Sequence, residues 1–471
     1  MTAYEDMLKS VGEFGLYQKV RIFLFCLPAI SAALHNMSMV FNMETPEFRC
    51  AVPGLPSDTY AVQSEHHAHL INASLPRDEK TGGYSRCYTY RPSAKNSLGP
   101  RSNRSGANET SQLIFDRNQT APCERWVYSK DVHESTVTSH LNLVCERDGV
   151  RTHQSMMMLM GLLVGSLICT PLADWIGRKK VLIVCGLLQM VLGFCFVFIT
   201  SVSWLLGLRF LIAITGLGTF FAGFVLSTEI VGPSHRAMAG VCAMYFWAVG
   251  MFLLVFLFYF IRDWRIAQVT LTAPGLLYIS YWWIIPESPR WLILKGRHYE
   301  ADKVLRSMAT TNRRPVPEQM LNDLATSAET DVTKASLREE QQQQQQQQQR
   351  QQQGQNLRQQ LWLLFSSPAL AGRFLNLCFN WLAINVCYYG LTLNVGSLLE
   401  GELYFNFTLL TIMELAGFVV AHLLLDRLGR KPVYCCCMLL GGVACLATLG
   451  PVLTKSGVFH CFCKSLTSFS K

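Results

Sequence analysis

Charge is what this chain most lacks. Asp, Glu, Lys and Arg make up only 15% of its 471 residues, against 50% hydrophobic, where a soluble domain carries about 25% charged residues. With a mean hydropathy of +0.22, that scarcity excludes a soluble protein of this length and leaves a polytopic membrane protein. Further absences narrow the field. No metal-spaced His/Cys cluster, no G-x-S-x-G and no phosphate loop occurs, so metal sites, cofactors and enzyme chemistry have little to stand on. The net charge of +9 is not gathered into a continuous basic stripe. Lys and Arg sit in loops beside apolar runs, a topological pattern that argues against nucleic acid as a partner. Nor is a cleavable leader expected: Glu5, Asp6, Lys9, Glu13 and Lys19 punctuate the start, and no small-residue cleavage site follows the first apolar run. The first helix is therefore expected to stay as an anchor.

What is present is a series of apolar runs, each near the roughly 20 residues that cross a bilayer. They fall at 20–41, 152–172, 181–200, 204–225, 237–261, 266–285, 374–391, 404–425 and 433–452. Nine transmembrane helices are predicted, six before a polar linker at 286–373 and three after it, giving an all-α membrane protein. Residues 1–19 form a tail before the first helix, and 453–471 are too short and too polar for another span. Short-loop positives set the orientation. Arg178, Lys179, Lys180, His235, Arg236, Arg427, Arg430 and Lys431 all fall on one side, which should be cytoplasmic together with the amino terminus. Arg262 and Arg265 are the short-loop exceptions on the other side.

That topology places the polar segment 42–151 outside. It holds four N-x-S/T sequons, at Asn72, Asn103, Asn108 and Asn118, and four cysteines, Cys50, Cys87, Cys123 and Cys145. Both features suit an oxidising exterior, so a glycosylated, disulfide-stapled external loop is expected, with three pairings open. Most of the other cysteines lie in apolar helices and read as small buried hydrophobes. Inside the 286–373 linker, glutamine runs at 341–349 and 351–353 cannot build a core and read as a tolerated low-complexity tract.

One motif occurs twice. Asp174-Trp175-Ile176-Gly177-Arg178-Lys179 returns as Asp426-Arg427-Leu428-Gly429-Arg430-Lys431, each copy in the gap between two apolar runs. Gly frees the backbone for a tight turn, the basic pair stays on the cytoplasmic face, and Asp can cap or pair at the helix end. Two copies with equivalent flanks indicate a duplicated membrane protein.

Six spans, a long linker and a second group with its own D-x-x-G-R-K turn resemble the major facilitator superfamily, whose halves are repeats around a central site. Finer strings look like the organic cation, anion and carnitine transporters. These are Thr228-Glu229-Ile230-Val231-Gly232-Pro233, Arg262-Asp263-Trp264-Arg265, Tyr388-Tyr389-Gly390-Leu391 and Thr45-Pro46-Glu47-Phe48-Arg49-Cys50, while Pro286-Glu287-Ser288-Pro289-Arg290-Trp291-Leu292 looks like the signature shared by sugar and organic-ion carriers. Thr170 and His422 stand where that family's turn usually has Gly, which predicts looser helix packing there. The family has twelve spans, so the resemblance implies a complete amino-terminal six-helix bundle (20–285) and an incomplete carboxy-terminal one (374–452).

The resemblance also implies roles. Asp174, Gly177, Arg178, Glu229, Arg236, Glu287 and Arg290, with Asp426, Gly429 and Arg430 in the second copy, would form a cytoplasmic gate; Arg178 and Arg236 also read simply as topological positives. Trp381, Asn385 and Tyr388 fall at i, i+4 and i+7 on one helical face. Aromatic rings with one amide suit a flat or cationic organic solute, or equally packing against a neighbouring helix. Family positions matching Trp381 and Tyr388 line the cavity of organic cation carriers, and Phe220 and Trp247 would add aromatic walls. Glu414, the only carboxylate within its span, is a functional candidate because a midplane charge is costly in lipid; a structural partner for a neighbouring helix is the competing reading.

The expected function is a multi-pass plasma-membrane carrier of small organic ions, working by alternating access without ATP. Cations or zwitterions of the amine or carnitine type are preferred over organic anions, because the expected wall is aromatic and its clearest charge is negative. A reading of another class is a truncated, transport-inactive product, either a regulator paired with a full-length copy or an incomplete gene product. Faces left uncovered would meet lipid or another chain, which admits an oligomer.

Overall fold

The computed structural model describes residues 2–77, 83–92, 115–315, 366–393 and 402–447. Asn103, Asn108, the glutamine tract and the 453–471 tail lie outside the described residues, as do the side chains of Asp426 and Arg430. Helices dominate. A short amphipathic helix α1 (Thr2–Val11) precedes the first membrane helix, α2 (Leu16–Met37). After the 42–151 segment come α6 (Val150–Ile176), α7 (Arg178–Cys195), α8 (Val202–Glu229) and α9 (Arg236–Phe260), and past the linker α14 (Pro368–Leu393), α15 (Leu403–Leu428) and α16 (Arg430–Ala447).

Among the described residues, seven helices are long and apolar enough to cross a membrane, where nine were expected. The sixth expected span is present but broken into α10 (Trp264–Thr272), a 3-10 turn (Ala273–Leu276) and α11 (Leu277–Ile284). Pro274 explains the break, since its ring removes an N–H and crowds the preceding turn. The ninth is the shorter α16, described only to Ala447. In the linker two further helices appear that the polar composition did not predict, α12 (Pro289–Leu294) and α13 (His298–Thr311).

Side-chain distribution is that of a bundle whose outer faces meet lipid. Leu167, Phe198 and Trp283 are 68%, 80% and 76% exposed, which would be untenable in water but is favourable in hydrocarbon. Inside, α2 packs on α8 and α9, while α6 and α7 pack on α8. Ala29, Ala32 and Ala33 of α2 and Ala239, Ala243 and Ala248 of α9 are buried, small residues that let two helices approach closely. The second group joins through α15, which packs on α9. At the end of the bundle bearing the 42–151 segment that joint is aromatic: Phe41 stacks on Phe258 (5.1 Å) and Tyr404 (5.5 Å) and meets Phe407 edge-on (5.1 Å). There the Tyr404 hydroxyl donates to the Phe258 carbonyl (3.0 Å).

Helix α3 (Met39–Asn42) leads into the 42–151 segment, which contains α4 (Glu65–Ser74) and α5 (Val137–Leu141) with two small antiparallel sheets. Strand β1 (Phe48–Cys50) pairs with β4 (Trp126–Tyr128), and β2 (Tyr88–Pro92) with β3 (Phe115–Pro122). So small a core needs staples, and the structure pairs Cys50 with Cys123 and Cys87 with Cys145, with Cα separations of 5.8 and 5.7 Å. Buried Asp58 is gripped from three sides. Arg49 donates to both its oxygens (2.7 and 2.9 Å), the Val52 amide donates at 2.7 Å, and His67 Nε2 lies 2.8 Å away. The segment docks on the bundle through Ser135, whose hydroxyl donates to Asp263 (2.6 Å).

Candidate functional site

Two groups of predicted residues come together, one between the helices and one at the end face bearing α1. Between helices, a cavity of about 980 Å³ lies among α6, α8 and α14. Its walls are chiefly apolar, with Leu159, Leu163 and Phe221 facing Trp381, Asn385 and Tyr389 across it. Trp381 is 66% exposed, and the Asn385 amide donates to the Trp381 carbonyl (2.8 Å) within the helix.

Tyr388, on the same predicted stripe, is not among the residues lining that cavity and faces a different neighbourhood. Its hydroxyl stands next to Trp247 of α9 and Glu414 of α15, and its ring meets Tyr389 edge-on at 5.0 Å. Tyr389 in turn lies within electrostatic reach of Glu414 while lining the cavity. Trp247 meets Phe220 edge-on at 6.3 Å, and Phe220 meets Phe221 at 5.9 Å. An arc of rings thus runs from the cavity wall at Phe221, through Phe220, Trp247 and Tyr388, back to the wall at Tyr389. Glu414, only 6% exposed, sits beside this arc. Phe221 and Tyr389 were not picked from the sequence; their neighbours Phe220 and Tyr388 were, and adjacency was the available signal.

At the end face, Gly177 turns the chain with φ +110° and ψ 147°, a region essentially reserved for Gly. The turn delivers Arg178, whose guanidinium donates to Asp174 (2.7 Å) and Glu229 (3.4 Å). The Glu287 carboxylate accepts the backbone N–H groups of Arg178 (3.0 Å) and Lys179 (3.1 Å) and of its neighbour Ser288 (3.1 Å). It thereby caps the positive end of α7. Burial raises the Glu287 pKa, and the amide N–H groups and Arg178 only partly offset it. The Trp291 indole ties α12 to the same turn by donating to the Asp174 carbonyl (2.9 Å). In the second copy Gly429 also has positive φ, +85°.

Arg236 does not join Arg178. It pairs with Glu5 of α1 (3.2 Å). The Tyr4 hydroxyl donates to the Glu229 carbonyl (2.8 Å), and Arg290 is within electrostatic reach of Tyr4. Glu13 accepts from the Ser234 hydroxyl, and Phe14 stacks flat on His235 at 4.9 Å. None of these amino-terminal contacts was foreseen. His422, expected to loosen its helix, instead meets Tyr245 of α9, ring nitrogen to hydroxyl at 3.2 Å.

A bundle of membrane helices, an aromatic cavity beside a buried carboxylate and a charged turn at one face together define a membrane carrier of the major facilitator class. The chain belongs to the sugar (and other) transporter family, whose profile matches residues 129–463. The organic cation transporter-like protein of Drosophila melanogaster is 32% identical over 446 residues, covering 95% of this chain and 73% of that one. Organic cation/carnitine transporter 2 of Homo sapiens is also 32% identical over 446 residues, covering 94% and 74%. Among solved structures, the partially occluded inward open form of the xylose transporter XylE from E. coli superposes with a TM-score of 0.51. At 15% identity over 69% of this chain and 74% of that one, it speaks for the fold alone.

Proposed function

We propose that the chain carries small organic cations or zwitterions, of the amine or carnitine type, across the plasma membrane by alternating access, with no enzymatic step. The observation that carries this reading is Glu414, buried at the joint of the two helix groups beside Tyr388 and Trp247. A carboxylate there attracts a cation, and aromatic faces hold a desolvated onium group by about 2 kcal/mol or more. The names of the 32% identical relatives, an organic cation transporter-like protein and an organic cation/carnitine transporter, speak for this substrate class and lend nothing to the organic-anion or transport-inactive readings.

In this reading the α1 end faces the cytoplasm and the 42–151 segment lies outside, glycosylated at one or more of Asn72, Asn103, Asn108 and Asn118. The Asp174, Arg178, Glu229 and Glu287 cluster acts as the inner gate. Its support is incompleteness: Arg178 Nε and Nη1 and Glu229 Oε2 are buried without a hydrogen-bond partner among the described residues. Such orphaned groups are costly and suit a network that completes itself in another conformation. The test of the substrate reading is Glu414→Gln in cells, measuring uptake of a labelled quaternary amine normalised to surface protein. Uptake should fall at least tenfold, and unchanged uptake would remove Glu414 from the mechanism.

A further inference from the structure

At the α1 end, away from the arc of rings, a second cavity of about 540 Å³ opens where α2, α7, α11 and α13 meet. Its walls carry Arg21, Lys179, Lys180, Arg297 and Lys303 against Glu287 and Glu300; five cations against two carboxylates leave a net +3. Several of these charges are already engaged. Arg297 pairs with Glu300, and Arg21 donates to the Ile284 carbonyl. Lys179 lies 5.9 Å over the Trp282 ring. Lys180 and Lys303 have no carboxylate within ion-pair distance among the described residues, and both are exposed.

Positive charge near an inner membrane face is commonly topological. Three features here go further. The cations surround one concavity; Trp282 and Trp283 stand at its rim, as aromatics do at the headgroup level; and an apolar track leaves it along α11. Ile279 and Trp283 of α11, spaced i and i+4 and therefore on one face, are 47% and 76% exposed, and Leu276 of the preceding turn is 55% exposed. The positive end of α7 is not the attraction, since Glu287 already caps it.

We propose that this cavity binds the phosphomonoester headgroup of an anionic phospholipid, with one acyl chain lying along the exposed face of α11. A net +3 calls for more than the single negative charge of a phosphodiester, which is why a phosphatidic-acid or phosphoinositide headgroup fits. Lys180 and Lys303 supply the uncommitted positive charge. Because Glu287 lines the cavity and also holds the Gly177 turn, occupancy bears directly on the proposed gate. The leaflet involved, though not the binding, rests on the proposed orientation.

The test uses the purified full chain in neutral detergent, where orientation plays no part, and fluorescent dioctanoyl phosphatidylinositol 4-phosphate as probe. Saturable binding is expected, undisplaced by dioctanoyl phosphatidylcholine. With about 1 kcal/mol for each basic residue at a headgroup, the double variant Lys180→Gln/Lys303→Gln should bind roughly 30-fold more weakly. The double variant Lys9→Ala/Lys19→Ala, which removes two exposed cations elsewhere, should bind like the parent. Inorganic phosphate or inositol phosphate competing as well as the lipid would assign a soluble anion and overturn the proposal. So would equal loss in the two double variants, which would mean unspecific attraction. Photo-crosslinking of a diazirine phosphatidic acid to the unmutated protein gives an independent reading: adducts should map to α11 and α13, and adducts only elsewhere would refute the site. A tag placing the α1 end outside would overturn the orientation while leaving the binding result standing.

Discussion

The duplicated turn allows one substitution to be made in two settings. Gly177 and Gly429 share a backbone state, φ +110° with ψ 147° and φ +85° with ψ 160°, that costs a residue with a Cβ about 1–3 kcal/mol. Their surroundings differ. A Cβ at 177 would fall on Glu287 Oε2 and within 3.1 Å of Glu287 Cδ, whereas at 429 no described atom lies within 4 Å. Gly177→Ala must therefore also push the carboxylate off its amide donors, and losing one hydrogen bond to a charged group costs about 1.5–3 kcal/mol. The expected destabilisation is about 2.5–6 kcal/mol for Gly177→Ala and about 1–3 kcal/mol for Gly429→Ala. Reversible SDS unfolding of the two purified variants should differ by roughly 10- to 150-fold in equilibrium constant. Adding Glu287→Gln should cost much less in the Gly177→Ala background than in the parent, because the carboxylate is already displaced. Equal effects of the two glycine substitutions would refute the idea that Glu287 is locked beneath the first turn.

Trp247→Ala should raise the KM for a quaternary amine about 30-fold in uptake assays with surface abundance unchanged, since a desolvated cation–π contact contributes about 2 kcal/mol. Leu8, fully buried on the inner face of α1, should not tolerate charge: Leu8→Glu is expected to cost several kcal/mol and lower surface abundance in biotinylation, while Lys9→Ala, on the exposed face, should not. In the 42–151 segment, burial pushes the Asp58 carboxyl up, but the hydrogen bonds from Arg49, Val52 and His67 and the Arg49 charge together hold it below its ordinary 3.8. A depressed carboxylate contributes stability that is present above 3.8 and is lost as pH falls below that value. Proteolytic resistance of the segment should therefore hold through mildly acidic pH and fail below 3.8, and Asp58→Asn should weaken it already at pH 7.

Much of this architecture is legible in the residues because membrane helices announce themselves by length and apolarity, and the repeated turn marks the same helix-to-helix step in each group. The break in the sixth span was legible too, in Pro274-Gly275, but a hydropathy run does not register a turn whose neighbours are all apolar. Helix α1 escaped notice for a different reason. It is too short to span, and its charges suggest a solvated tail, yet Tyr4, Met7, Leu8 and Val11 lie at i, i+3, i+4 and i+7 and are all buried. At the site, helical spacing put Trp381, Asn385 and Tyr388 on one stripe, and the structure divides that stripe between a cavity and a tyrosine packed on Trp247. Periodicity fixes which residues share a face; it does not say how many neighbours that face meets. Arg236 shows the same limit, because its partner Glu5 lies on a segment 231 residues away.

Helix α1 also imposes an order on assembly. The Asn312 side chain donates to the Val11 carbonyl (3.0 Å) and accepts the Tyr17 N–H (3.0 Å), joining segments 301 and 295 residues apart. At the ribosome's pace of about 5–20 residues per second, α1 is complete roughly 15–60 s before that asparagine is made. Throughout that interval an amphipathic peptide with four apolar side chains has no finished dock. The newborn amino terminus must be held by a chaperone or lie on the bilayer surface, and the clasp shuts only when the linker has been translated past α13.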